Sequence, residues 1–127
     1  MKNILVTGSA GQIGSELTMV LREKYGNDNV VAGINRTQPG PNLRDSGPYE
    51  TVDCTDLKVV ADVVKKYNID TVMHLAAILS AVAEAKPNLA WDVNINGMYN
   101  VLEVARETKC AVFVPSSIGA FGPTTPL

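Results

Sequence analysis

The run Ile4-Leu5-Val6-Thr7-Gly8-Ser9-Ala10-Gly11-Gln12-Ile13-Gly14-Ser15-Glu16-Leu17 constrains this chain more than any other stretch. A short apolar run leads directly into three glycines spaced three apart, and the glycines open a segment of helical apolar period. That order predicts a strand, a tight turn and a helix N-terminus. In such a unit one glycine makes the turn, one lets backbone approach a pyrophosphate, and one lets helix and strand pack closely. The first-turn N–H groups and the positive end of the helix suit an anion. The expected cradle comprises Gly8, Gly11, Gln12, Ile13 and Gly14.

The remaining elements alternate. Strands are expected at 2–7, 30–34, 49–53, 70–75 and 110–115. Helices are expected at 12–25, with Ile13, Leu17, Val20 and Leu21 on one apolar face, and at 56–67, with Leu57, Val60, Val63 and Val64 inward and Thr55 as N-cap. A third, long helix is expected at 87–108, with proline in its first turn. Prolines and glycines make 37–48 a loop, 76–86 is ambiguous, and 119–127 lacks a partner element. Strands alternating with helices give a parallel sheet, and right-handed crossovers give the strand order 3-2-1-4-5 of a Rossmann-like, doubly wound α/β fold. Ligands bind such sheets beyond the carboxyl ends of the strands, where the order reverses.

A chain of 127 residues fits one dinucleotide-binding domain, and 46% hydrophobic content is enough for one core. A formal charge of −2 leaves no electrostatic footprint for nucleic acid. No apolar run reaches membrane-spanning length, and the N-terminus enters a strand rather than a signal peptide. Cys54 and Cys110 read as small apolar residues in a reducing compartment, so the expected location is cytoplasmic. The single His74 lies in an apolar strand without a metal-spaced partner, which predicts a core residue and no metal site.

Several positions at the carboxyl edge carry chemistry. An acid is usual after strand 2, about 20 residues past the glycines, to hold ribose hydroxyls. Here that place reads Gly33-Ile34-Asn35-Arg36. Asn35 could meet a hydroxyl, while Arg36 could stack on adenine, pair with a 2′-phosphate, or be solvated. NAD and NADP therefore both stay open. Asp53 with Cys54 could receive adenine, or Asp53 could cap the next helix. The small residues in Leu75-Ala76-Ala77 let backbone approach the second ribose. Asn94, Asn96 and Gly97 are poor mid-helix residues, which close packing under a cofactor or a neighbouring helix would explain, or simple tolerance on an exposed side. Ser116 and Ser117 close strand 5, either as substrate contacts or as a loop cap.

Together these residues resemble the extended short-chain dehydrogenase/reductase family. Its signposts appear in order as Thr7-Gly8-xx-Gly11-xx-Gly14, His74-Leu75-Ala76-Ala77, Val93-Asn94-Ile95-Asn96-Gly97 and Pro115-Ser116-Ser117. The words Gly11-Gln12-Ile13-Gly14, His74 to Ala81, Ala90-Trp91-Asp92-Val93-Asn94 and Pro115 to Pro126 are most similar to its short-chain-type L-threonine 3-dehydrogenase branch. UDP-sugar epimerases share the general signposts but not those words as closely. The resemblance implies NAD-linked oxidation of L-threonine to 2-amino-3-oxobutanoate by a homodimer. By position it implies pyrophosphate at the glycines with Gln12 and Ile13, adenine at Asp53 and Cys54, and nicotinamide ribose at Leu75, Ala76 and Ala77 supported by Asn94. It also implies substrate contact at Ser80 and a catalytic serine at Ser117. The family's base is the tyrosine of Tyr-x-x-x-Lys, and none of Tyr25, Tyr49, Tyr67 and Tyr99 has lysine four places on. The expectation is therefore an amino-terminal cofactor-binding portion, inactive by itself, without the sixth strand, catalytic helix and substrate lobe.

Overall fold

The structure, a computed structural model, describes residues 1–116 and 122–124. β1 (Ile4–Thr7), β2 (Val30–Ile34), β3 (Tyr49–Thr51), β4 (Thr71–His74) and β5 (Ala111–Phe113) form one parallel sheet in the order β3-β2-β1-β4-β5. This is the Rossmann-like arrangement expected from the alternation of strands and helices. The central strands are buried along their whole length because helices cover both faces. Successive side chains alternate between faces. Leu5, Val31 and Val72 join Val60, Val63 and Val64 of α3 (Leu57–Lys66) and Val101 and Val104 of α6 (Gly97–Thr108) in the larger core. Ile4, Val6 and Val30 meet Leu21 of α1 (Gln12–Tyr25) on the other face. Cover on that second face fades toward β5, where Phe113 is 53% exposed.

Three expectations about helices need correction. In α1 the buried residues are Gly14, Thr18, Leu21 and Arg22, whereas Ile13 and Val20 are 73% and 59% exposed. Gly14 must lie against Gly8, and that contact sets the rotation of the helix. Residues four, seven and eight places on then face the sheet, at about 100° per residue. In α3 Leu57 is exposed and the cap is Asp56, not Thr55. The Asp56 carboxylate accepts from the amides of Lys58 and Val59 at 3.1 and 3.4 Å. The inward arc therefore begins at Val60.

The segment expected to be a loop holds α2 (Pro41–Ser46), with proline in its first turn and Leu43 buried. Its anchor is Arg22, which is 1% exposed. Arg22 Nε donates to the Val30 carbonyl at 3.2 Å and Nη2 to that of Pro48 at 2.6 Å. Its Nη1 reaches the Leu43 carbonyl at 2.6 Å and Ser46 Oγ at 2.9 Å. One guanidinium thus joins α1, β2, α2 and the approach to β3, and burial lowers its pKa from the ordinary arginine value.

The ambiguous stretch contains α4 (Ser80–Ala85). The expected long helix is α5 (Pro87–Trp91), a wider π-turn over Asp92–Asn96, and α6. β3, β4 and β5 are each shorter than the sequence pattern suggested. Gly97 is buried, and a Cβ there would touch Cys54 Cβ at an ordinary 3.4 Å, so its packing does not demand glycine.

Candidate functional site

The carboxyl edge of the sheet gathers most of the residues singled out in the sequence. Gly8 follows β1 with φ +69°, a left-handed conformation that strains any side chain. A Cβ on Gly8 would also come within 2.9 Å of the Ala76 amide nitrogen. The turn closes by Gly11 N–H donating to the Gly8 carbonyl at 3.1 Å. Gly11 caps α1 without a side chain. The amides of Gln12, Ile13 and Gly14 donate to no protein acceptor among the described residues. Three converging donors at a helix N-terminus, with backbone in place of side chains, fit the pyrophosphate of a dinucleotide.

Two side chains that the sequence reading passed over brace this turn. Ser9 Oγ donates to the Val6 carbonyl at 2.6 Å, and Thr18 Oγ1 donates to the Gly14 carbonyl at 2.7 Å while lying 3.2 Å from Ser9 Oγ. Both residues are fully buried. Thr18 carries one sequence signal, a polar residue four places after a helical glycine, whereas Ser9 lies in the turn before α1.

Thr7 joins the two strands that flank the reversal of strand order. Its Oγ1 accepts from the amides of Leu75 and Ala76 at 3.0 and 3.1 Å. A hydroxyl has two lone pairs and one hydrogen, so the hydrogen is left for His74 Nδ1 at 2.9 Å. His74 is accordingly neutral, with its proton on Nε2, and burial holds its pKa below the ordinary value of 6.5. It is the core residue its apolar strand predicted. An unfolded His74 takes a proton near pH 6.5, and the folded one resists until lower pH. Stability should therefore hold above pH 6.5 and fall as pH drops below it, by up to about 1.4 kcal/mol per pH unit. Urea midpoints between about pH 8 and pH 5 test this, and His74→Gln should flatten the profile. A flat parent profile would contradict the assignment.

Beyond β4 the chain passes through Leu75, Ala76 and Ala77 into a cleft of about 560 Å³. The cleft is also lined by Ile78, Leu79, Asn94, Ile95, Met98 and Ser116. Asn94 sits in the π-turn and clamps the strand exit, accepting from the Ile78 amide at 2.7 Å and donating to its carbonyl at 3.1 Å. This explains an asparagine on that helix, and π-turns recur at functional sites. Asn96 instead donates to Asp92 at 3.0 Å at the surface.

At the far side, Asp53 Oδ1 accepts from the Thr55 amide and hydroxyl at 3.0 and 2.6 Å. Asp53 thus shapes the turn after β3 and does not cap α3. Asn100, another residue the sequence reading missed, ties α6 to the Cys54 carbonyl at 2.9 Å. Cys54 is buried and its thiol is pushed up to about 12 by burial, so it offers no thiolate. Both cysteines are free. Asn35 and Arg36 are exposed where β2 leaves the sheet. The Ser80 side chain, Ser117 and most of the segment after it lie outside the described residues. Among the described residues no three His, Cys, Asp or Glu side chains group to hold a metal ion, and no helix is long and apolar enough to cross a membrane.

Residues 4–127 match the family described as the NAD dependent epimerase/dehydratase family. An uncharacterized epimerase/dehydratase of Staphylococcus saprophyticus is 52% identical over 127 residues, which cover 99% of this chain and 39% of that protein. The chain thus spans about two fifths of the length of the curated relatives it matches. The X-ray structure of an L-threonine dehydrogenase from Clostridium difficile is 52% identical with a TM-score of 0.92, over 99% of this chain and 40% of that one. A Thermus thermophilus UDP-glucose 4-epimerase in complex with NAD is 30% identical with a TM-score of 0.74, over 84% and 34%.

Proposed function

From the premise that the chain belongs to the NAD dependent epimerase/dehydratase family, we propose that it is the cofactor-holding portion of an L-threonine 3-dehydrogenase. The reaction would convert the β-hydroxyl of L-threonine to the ketone of 2-amino-3-oxobutanoate. The observation that carries this reading is the gap between 52% identity to a solved threonine dehydrogenase and 30% to a solved UDP-glucose 4-epimerase.

In this reading the amides of Gln12, Ile13 and Gly14 receive the pyrophosphate, with Gly8 and Gly11 keeping the approach free of side chains. Asn35 and Arg36 face the adenosine ribose, and Asp53 with Cys54 bounds the adenine. The backbone of Leu75, Ala76 and Ala77 meets the second ribose, held there by Thr7 and Asn94. The bound nicotinamide would supply the hydride acceptor. Ser116 and Ser80 lie on the substrate side, and Ser117 orients the substrate hydroxyl. Proton removal is assigned to a residue outside these 127, because none of the four tyrosines has lysine four places on. Trp91, Ile95, Tyr99 and Leu102, each at least 41% exposed along α5 to α6, are assigned to contact with a second copy.

The test uses the full-length protein containing this chain. L-Threonine should drive reduction of a nicotinamide dinucleotide, and the protein should sediment as a dimer. Interconversion of UDP-glucose and UDP-galactose without threonine oxidation would overturn the substrate assignment in favour of an epimerase.

A further inference from the structure

The Thr7 hydroxyl has no spare bonding capacity. Its oxygen accepts from the Leu75 and Ala76 amides, and its hydrogen goes to His74 Nδ1 at 2.9 Å. A proton added to His74 must sit on Nδ1, because Nε2 already carries one. Nδ1 then becomes a donor aimed at an oxygen whose two lone pairs are taken. The hydrogen of Thr7 loses its acceptor in the same step. An imidazolium makes the stronger, charge-assisted bond, so one of the two amides is released.

The segment released in this way packs on the glycine turn. A Cβ on Gly8 would lie 2.9 Å from both the Ala76 nitrogen and the Leu75 carbonyl carbon, so the two backbones meet without room for a side chain. Movement of Leu75 and Ala76 therefore disturbs the glycine turn as well as the wall of the cleft. His74 is only 4% exposed, but it lines that cleft of about 560 Å³, through which solvent protons reach it. Among the described residues, the others that line the cleft are uncharged. The Cys54 thiol beside Thr7 is pushed up to about 12 by burial and stays neutral. Asp53 and Asp92, on the turn after β3 and the π-turn, are held by Thr55 and Asn96. His74 is thus the group around Thr7 that can change its charge near neutral pH.

We infer that His74 is a positioning residue acting through Thr7 and the Leu75–Ala76 backbone, so that protonation of its ring weakens dinucleotide binding and binding expels that proton. This rests on the reading of the glycine turn as a dinucleotide site. Isothermal titration of the full-length protein with NAD between about pH 8 and pH 5, at a temperature where it stays folded, tests it. The dissociation constant should be flat above pH 6.5 and rise at lower pH, by up to about tenfold per pH unit. On that acid limb, buffers of different ionisation enthalpy should report proton release as NAD binds. His74→Asn puts a neutral acceptor where Nδ1 stands, so it should bind NAD at pH 8 nearly as the parent does and lose the acid limb. His74→Leu leaves the Thr7 hydrogen without an acceptor and should bind about fivefold more weakly at every pH. His74 is the one histidine of these 127 residues, and the variants separate it from any in the rest of the protein. A flat parent profile, or an acid limb retained by His74→Asn, would overturn the inference and leave the dinucleotide site standing. Should His74→Asn fail to fold, NAD binding by the parent without proton release overturns it instead. Binding of NAD at no pH would overturn the site and the inference together.

Discussion

Gly14→Ala is expected to lower the melting temperature by roughly 10 °C and to abolish dinucleotide binding. A Cβ on Gly14 would overlap the Gly8 carbonyl oxygen and come within 2.8 Å of Gly8 C and 3.0 Å of Ser9 Cα. All three are backbone atoms, so no side chain can swing aside. Either the turn opens or α1 slides away from β1, and each outcome displaces the amides of Gln12, Ile13 and Gly14. The cost should be about 3 kcal/mol or more, the upper part of the range for overpacking. Gly40→Ala is the control, because nothing lies within 4 Å of a Cβ at that position. It should melt like the parent. Thermal melts of the two variants with and without cofactor decide the matter, and a Gly14→Ala protein that melts and binds normally would refute the close approach.

Arg22→Ala should be comparably destabilising, by about 3 kcal/mol. Among the described residues Arg22 is the one side chain that reaches the carbonyls of Val30, Leu43 and Pro48 together, and its loss leaves a void beneath α2, although the Pro48 carbonyl keeps its bond from the Ala32 amide. An unmade bond to a buried carbonyl costs about 1–3 kcal/mol, and the three losses will not simply add. Against a total stability of about 5–15 kcal/mol, such a loss is a large fraction of the whole. Arg22→Met separates the two causes. It refills much of the volume but satisfies no carbonyl, so it should recover little of the loss if the bonds dominate. Lys should also fall short, since one ammonium cannot reach acceptors spread over β2, α2 and the approach to β3. Urea midpoints measure each variant, and an Arg22→Met protein as stable as the parent would show that packing alone holds α2.

Arg22 also marks the limit of pattern reading. Its position near the end of an amphipathic helix gives every reason to place it in solvent beside Glu23 and Lys24. The loop it anchors looked structureless because Pro39, Gly40, Pro41, Gly47 and Pro48 are turn formers. The helix inside it depends on a side chain some twenty positions away. Thr7 likewise reads in sequence as a strand end opening the glycine signpost, yet its hydroxyl fixes the His74 tautomer and the course of the chain through Leu75 and Ala76. In the long helix, Asn94 was flagged by its poor helical propensity. Its clamp on Ile78 needed a register that the π-turn supplies and that no sequence period shows.

By itself the sequence determined the five strands, their parallel order and the glycine turn at the carboxyl edge. Those follow from local rules, namely the alternation of apolar periods, the handedness of crossovers and the three glycines. Tertiary structure decided the rotation of α1, and with it which residues are buried. Gly14 packs on Gly8, and a helix has one rotational degree of freedom to spend on such a contact. Once it is spent, Thr18 and Arg22 face the sheet and Ile13 is left exposed, against their hydropathy. A helical period specifies which residues share a face, but only a contact with another element selects the face that turns inward.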